Sequence, residues 1–370
     1  MKILQIHISL EIMGGIESFI CYLSNEMALF SGNDVTFCSI FPPKNNNSPF
    51  YTRLSKEITK DYLLNTTNNF SLKTAWKIYK YIKNSNTDIV HIHGFFYYYL
   101  IAVALLHSKV KFVYTFHSDA YKENTAWDKK ILWIKKFCLK NHWIYAATIS
   151  PQSEDSFSRL YHVKSRMIEN GIKSPSICIE DNRLQMYKID NATKVFLHPG
   201  RICAEKNQLV LCRVFNRLIK EGYNVCLLIV GTIQGKEIFE QIRGEFNERI
   251  RFIGERNDIP QLFYHADGFC LPSIWEGLPL TLLEAISVGC PPICSPVGGI
   301  VGVVRDGVNG ILSKSSSEND YFDAMKRFLN MSPVDMQIMK QKALKTFDSY
   351  NIKNTAQKYI DYYSELLYVL

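Results

Sequence analysis

The feature that most restricts this chain is a rhythm: short apolar runs rich in β-branched residues alternate with longer helical patterns from one end to the other. Alternation of that kind reads as βα units, which build parallel sheets covered by helices. Strands are expected at 2–8, 34–39, 89–92, 112–116 and 145–150, with helices at 18–30 and 72–84 among them. A second series is expected at 194–198, 225–230, 250–253, 268–271 and 292–295, each followed by a helical stretch. At 370 residues the chain exceeds one ordinary domain, so the rhythm implies two doubly wound α/β halves. Residues 167–191 lack a clear period and contain Gly171, Pro175 and Asp181-Asn182, the composition of a linker. The asparagine patches 45–47 and 65–69 read as loops, and residues 334 onward as helix, with 356–370 rich in Tyr and Leu.

Composition narrows the function classes. Hydrophobic residues at 47% and charged ones at 21% belong to a folded chain and not a disordered one. The longest nearly uncharged apolar run, 94–106, falls short of the roughly 20 residues needed to span a bilayer. The opening Met-Lys-Ile-Leu-Gln-Ile-His reads as a strand and not as a signal peptide, so a cytoplasmic location is expected, with peripheral membrane contact at most. Ten cysteines without a CxxC pair are expected as reduced, buried thiols. The net charge of +8 is uneven: residues 1–190 carry 23 Lys and Arg against 16 Asp and Glu, a balance of +7. The first half therefore faces something anionic or is simply kept soluble by its charge. Nucleic acid is not the expected partner, because no recognisable binding module is present.

The most informative stretch runs Leu271-Pro-Ser-Ile-Trp-Glu276-Gly277-Leu278-Pro279-Leu280-Thr281-Leu-Leu-Glu284. A strand ends near Leu271, Gly277 permits a tight turn, and Pro279 suits a helix start, where its missing N–H costs nothing. The free amides of that helix would face the carboxyl end of the sheet, a natural anion site. Glu276 in the loop and Glu284 one turn into the helix could bind neutral hydroxyls of the same ligand. Equally, Glu276 could cap the helix and Glu284 could be a surface residue. Arg201 and Lys206 follow the strand at 194–198, where cations can meet a diphosphate or stand as solvated loop charges. Gly14 and Gly15 follow the first strand and would allow close backbone approach to a ligand, or form an ordinary turn. His117 ends a strand; His91 and His93 share one face of another, as metal ligands would, but without an evident third ligand they read as cleft or core residues. Lys122, Lys129, Lys130, Lys135, Lys136 and Lys140 interleave with Trp127, Ile131, Trp133, Ile134 and Phe137. Two readings fit that segment: a solvated helix face above a buried apolar side, or a surface for anionic lipid headgroups.

Taken together, these residues resemble the glycosyltransferases of family 4, retaining enzymes with the GT-B fold, whose E-x7-E signature is similar to Glu276…Glu284. Further pieces resemble the family: Gly200-Arg201…Lys206-Asn207, Leu228-Ile-Val-Gly231, Ile253-Gly254, Ala266-Asp267, Asp306-Gly307-Val-Asn-Gly310, Met13-Gly14-Gly15-Ile16-Glu17 and Glu169-Asn170-Gly171-Ile172. The chain departs from the pattern after Gly298-Gly299-Ile300, where Val301-Gly302 replaces the usual Pro-Glu.

The resemblance implies an acceptor-side Rossmann-like domain at 1–172, a nucleotide-sugar domain at 173–345, a C-terminal helix at 346–370 packing back on the first, and an active site in the cleft between the domains. It also implies sugar transfer, with retention, from a nucleotide donor (UDP expected over GDP) to a hydroxyl of a glycan or lipid-linked oligosaccharide in bacterial surface-polysaccharide synthesis. Arg201 and Lys206 would hold the diphosphate with the amides of 277–281. Glu284 would hold the ribose, Gly15 would line the donor site, and Glu276 with His117 would orient the sugar. His117 would act through its ring on a sugar hydroxyl or through its carbonyl on developing positive charge. No metal or other cofactor is expected. The competing readings are a non-catalytic binding module and a GT-B sugar-nucleotide epimerase, separated from the transferase by donor turnover and by acceptor dependence.

Overall fold

The computed structural model describes residues 1–9, 14–42, 52–64, 71–124 and 126–368. Met13 of the glycine loop, the asparagine patches 45–47 and 65–69, the side chain of Trp127 and residues 369–370 lie outside the described residues. The chain divides into two compact units, Met1–Lys173 with Asn351–Leu370, and Ser174–Tyr350.

The first unit holds a seven-stranded sheet: β1 (Lys2–His7), β2 (Asp34–Ser39), β3 (Thr59–Tyr62), β4 (Ile89–His93), β5 (Lys111–Phe116), β6 (Tyr145–Thr148) and β7 (Arg166–Met167). Its order is β3-β2-β1-β4-β5-β6-β7, and every pairing is parallel. The second unit holds six parallel strands: β8 (Lys194–Pro199), β9 (Val225–Val230), β10 (Ile250–Phe252), β11 (Gly268–Leu271), β12 (Pro292–Cys294) and β13 (Ile311–Leu312), in the order β10-β9-β8-β11-β12-β13. The central strands are buried along nearly their whole length because helices cover both faces; all six residues of β9, Val-Cys-Leu-Leu-Ile-Val, are buried and apolar. Three edge strands, β3, β7 and β13, were not expected from the sequence. Each is short, and β3 (Thr-Lys-Asp-Tyr) is half-exposed, so no apolar run marks it. The helix Leu72–Asn84 begins where Ser71 accepts a hydrogen bond from the Thr74 amide.

In each sheet the strand order reverses once, between β1 and β4 and between β8 and β11. The loops leaving those strands diverge to opposite sides and open a crevice at the carboxyl edge, where ligands of this architecture bind.

The first unit carries a polar stripe inside its core. Gln5, His91, His93, Thr115 and His117 lie on one face of β1, β4 and β5, because side chains alternate along a strand. Helices Gly15–Leu29 and Ile352–Tyr368 cover that face. The Phe19 ring lies 5.7 Å from His117, Tyr359 bonds Thr115 Oγ1 at 3.0 Å, and Tyr363 bonds His91 Nδ1 at 2.6 Å. Burial holds His91 and His93 well below the ordinary histidine range, with neighbouring rings adding to the effect, and takes His117 down to about 3.

A folded-state value below the unfolded one means that the unfolded chain binds more protons, so stability rises with pH and is lost as pH falls below about 6.5 toward the folded values. Each ring then contributes a slope of about 1.4 kcal/mol per pH unit, so the three together approach roughly 4 kcal/mol per unit below pH 5.5. Urea unfolding followed by circular dichroism at pH 7.0 and 5.0 should show a much lower midpoint in acid. Equal midpoints would mean that the rings are not held neutral.

Candidate active site

The second unit brings its two charged motifs together although they are far apart in sequence. Lys206 leaves β8 and Glu276 leaves β11, the strands flanking the reversal, and Lys206 Nζ lies 2.6 Å from Glu276 Oε1. Both side chains are largely buried, and Glu276 also accepts from Ser273 Oγ at 2.6 Å. The contact is built by backbone and amide bolts. The Ile274 amide donates to the Glu205 carbonyl at 2.8 Å. Asn207, with φ 57°, closes the turn after Lys206, and its Nδ2 donates to the carbonyls of Pro272 and Ser316 at 3.1 and 2.9 Å. Asn tolerates that left-handed conformation better than most residues.

Glu276 therefore does not cap the following helix, Leu280–Ser287, whose N-cap is Pro279 with no side-chain hydrogen bond. Gly277, Leu278 and Pro279 form the approach to it. Leu280 and Thr281 make its first turn, and Glu284 follows, half-buried and not a freely solvated residue. The turn at 276–277 is backed by glycines. Gly298 has φ 59°, and a Cβ there would stand 1.9 Å from the Glu276 carbonyl oxygen; the Gly299 amide donates to the Gly277 carbonyl at 2.5 Å. Gly302, where this chain departs from the Glu usual in the family it resembles, is exposed in the short helix Ile300–Val303.

Arg201 is exposed on the same β8 loop and donates to Gln234 Oε1 at 3.2 Å. His198, which the sequence reading did not single out, is buried beside the Lys206 stem. Its Nδ1 donates to the Cys270 carbonyl at 2.8 Å, Nε2 has no partner among the described residues, and burial takes its pKa down to about 4. The sequence offered little signal for it, because His-Pro at a strand end resembles any turn.

In the first unit Gly15 is the exposed first residue of its helix, and Glu17, two residues on in the same first turn, lies 3.5 Å from His7 Nε2. His117 is 7% exposed, bonded through Nε2 to His93 Nδ1 at 2.9 Å. His91 and His93 are engaged in hydrogen bonds within the core, and among the described residues no three His, Cys, Asp or Glu gather as a metal site requires.

The lysine-rich segment needs one correction. Lys135, expected among solvated or lipid-facing lysines, is 1% exposed. Its ammonium lies 4.2 Å from the Tyr114 ring centre and 4.7 Å from that of Phe116, and 3.4 Å from Asn124 Oδ1. A buried ammonium survives by cation–π contact and nearby carboxylates. Burial lowers its pKa, while Asp128 and Glu123 oppose that. Burial takes Glu123 up to about 7 against the pull of Lys135. Glu123 accepts from the Ser118 amide and the Tyr114 hydroxyl, each at 3.2 Å, so this charge cluster braces the turn that presents His117.

Comparison with known proteins places both units. The description "Glycosyltransferase Family 4" matches residues 13–174, and "Glycosyl transferases group 1" matches residues 180–346. The chain belongs to glycosyltransferase family 4 and has the GT-B fold. It is 26% identical, over 80% of both chains, to the UDP-Gal:α-D-GlcNAc-diphosphoundecaprenol α-1,3-galactosyltransferase of Escherichia coli. It is 30% identical to the capsular polysaccharide biosynthesis glycosyltransferase CapH of Staphylococcus aureus, over 60% of this chain and 63% of that one. Among solved structures, a glycosyltransferase from Rickettsia africae superposes with a TM-score of 0.83 at 20% identity, covering 100% of this chain and 99% of that one. The Anabaena protein HepE in complex with UDP does so at 0.77 and 19%, covering 99% and 100%.

The glycine backing is testable. Gly298→Ala combines left-handed strain, on the order of 1–3 kcal/mol, with a collision against the Glu276 carbonyl. Gly307→Ala, at φ 70° with open space around it, carries the strain alone. Thermal unfolding should show the larger drop for Gly298→Ala; equal drops would deny the contact any cost.

Proposed function

We propose that this transferase moves a sugar from a UDP-sugar, with retention at the anomeric carbon, to a hydroxyl of a glycan or lipid-linked acceptor in bacterial surface-polysaccharide synthesis. The observation that carries the reading is the Lys206–Glu276 pair at the β8/β11 reversal. It keeps an ammonium at the sheet's carboxyl edge with one anionic partner already in place and further donor capacity for a phosphate oxygen. The UDP donor and the lipid-linked acceptor rest on the name of the Escherichia coli relative and on HepE, seen with UDP and with UDP-glucose. Relatives in capsule and O-antigen synthesis support the pathway class. Retention rests on the α linkage that the Escherichia coli relative forms.

In this mechanism the acceptor oxygen bonds to the anomeric carbon as the bond from that carbon to the diphosphate oxygen breaks on the same face. The acceptor's proton passes to the leaving phosphate oxygen. Arg201, Lys206 and the amides of 277–281 offset the charge that grows on the diphosphate, which is electrostatic preorganisation in place of a metal ion. Glu284 holds the ribose, Gly15 leaves room for the donor, and Glu276 and His117 orient the sugar.

The experiment is steady-state turnover of UDP-galactose and UDP-glucose with a lipid-diphosphate N-acetylglucosamine acceptor, in EDTA. Activity should survive chelation. Lys206→Ala should lower kcat by about 10² or more with a smaller change in donor KM, because phosphate charge grows toward the transition state. Glu284→Ala should mainly raise donor KM. Consumption of donor without acceptor, loss in EDTA restored by magnesium or manganese, or wild-type kcat in Lys206→Ala would each overturn the corresponding part.

Peripheral membrane contact belongs to the same proposal. No helix among the described residues is long and apolar enough to cross a membrane. Trp133, Phe137 and Lys140 fall on one face of helix Leu132–Lys140, with Trp133 72% and Phe137 49% exposed, and Lys129 and Lys130 are exposed just before it. Sedimentation with liposomes containing anionic lipid should fall when Lys129, Lys130, Lys136 and Lys140 become Gln, or when salt rises. Lys135 stays unchanged because it is buried. Equal sedimentation would return the segment to a solvated face.

A further inference from the structure

His117 Nδ1 is a buried ring nitrogen with no hydrogen-bond partner among the described residues. Whether it carries a proton decides what it can serve, and the groups behind it answer that. The Gln5 amide nitrogen lies 3.4 Å from Met27 Sδ, and a thioether only accepts, so that end of the amide is its NH2. Its oxygen then faces His93 Nε2 at 2.8 Å. An amide oxygen only accepts, so His93 Nε2 carries the hydrogen. Burial keeps His93 neutral, which leaves a lone pair on Nδ1. His117 Nε2, 2.9 Å away, must donate to that lone pair. His117 is also neutral, held at about 3 by burial, so its single proton is spent and Nδ1 is bare. Turning the Gln5 amide over would invert every step and leave an N–H at Nδ1, but it would set the carbonyl oxygen against the Met27 sulfur.

We infer that Gln5 and His93 are positioning residues whose hydrogen-bond relay fixes the tautomer of His117, so that its Nδ1 accepts a hydrogen bond from a hydroxyl of the donor sugar. The ligand half of this inference rests on the donor reading given above; the relay does not. The acceptor Nδ1 favours the ring over the backbone carbonyl as the contact His117 makes. It also removes His117 as a general acid and as a ligand for phosphate oxygens, since both need a proton that the ring does not present.

The test reads tautomers directly. Two-bond 1H–15N correlation spectra of the full chain labelled with [15N]histidine distinguish Nε2–H from Nδ1–H rings, and His93→Gln and His117→Gln assign the two signals by their loss. The expected result for the wild type at pH 7 is Nε2–H on both rings. Nδ1–H on His117 would overturn the relay whatever the activity. Gln5→Leu should release both rings into mixed tautomers, and Gln5→Glu, which restores an acceptor, should return them to Nε2–H. A Gln5→Leu protein with unchanged tautomers would also overturn the relay. Should Gln5→Leu fail to fold, the wild-type spectrum still decides.

UDP-galactose, UDP-glucose and UDP-N-acetylglucosamine are the ligand probes, with UDP alone as reference. At least one sugar nucleotide should move the His117 Nδ1 resonance where UDP does not. Gln5→Leu should lose roughly tenfold in kcat/KM for the sugar nucleotide that the wild type turns over, the scale of one hydrogen bond, while its affinity for UDP is unchanged. A resonance unmoved by all three probes would overturn the hydroxyl assignment and leave the relay standing. Absence of wild-type turnover together with an intact relay would count against the proposed donor and not against the tautomer.

Discussion

Parallel strands cannot be joined by tight hairpins, and that constraint governs the rest of this molecule. Every connection must cross a face of the sheet, so each strand releases its loop at the same carboxyl edge. Residues far apart in the chain are gathered there by topology alone. Lys206 and Glu276, 70 positions apart, meet because β8 and β11 are neighbours; His7, His93 and His117 meet because β1, β4 and β5 are. The side chains supply the chemistry, and the winding order supplies their company.

The two units handle polarity at that edge differently. In the second, charge is balanced by contact between opposites under a tight glycine-backed turn, and Asn207 and the Glu205 carbonyl hold the two loops in register. In the first, burial holds His93 and His117 neutral and a hydrogen bond joins the two rings, while the Glu123–Lys135 cluster sits one layer back. A neutral stripe suits hydroxyl recognition, and a charged pair suits a diphosphate. The division of labour follows from desolvation: a buried ring is held neutral cheaply, whereas a buried ion needs partners.

The fold was legible because its signal is long and redundant. The inner strands read as apolar runs, and β2, β9 and β11 occupy the expected residues. The edge strands β3, β7 and β13 were not legible, since strands of two to four residues without an apolar run carry no such signal. At the site, residue types could be read but environments could not. Lys135 looks like its neighbours in sequence, yet the helical period turns it under the aromatic rings of β5 while Lys136 and Lys140 stay outside. The partners of Lys206 were equally hidden, because a 2.6 Å contact depends on strand order, which no local pattern encodes. His198 and Gln5 went unnoticed for the same reason: a polar residue within a strand declares its role only once its neighbours are known.

Helix Ile352–Tyr368 closes the first unit through Tyr359 and Tyr363, although the residues it covers lie about 250 positions earlier in the chain. During synthesis the ribosome therefore completes the second unit, Ser174–Tyr350, while the first still lacks a wall. The first unit is thus begun before the second and closed after it, and its imidazole stripe gains its tyrosine partners only when helix Ile352–Tyr368 has been made.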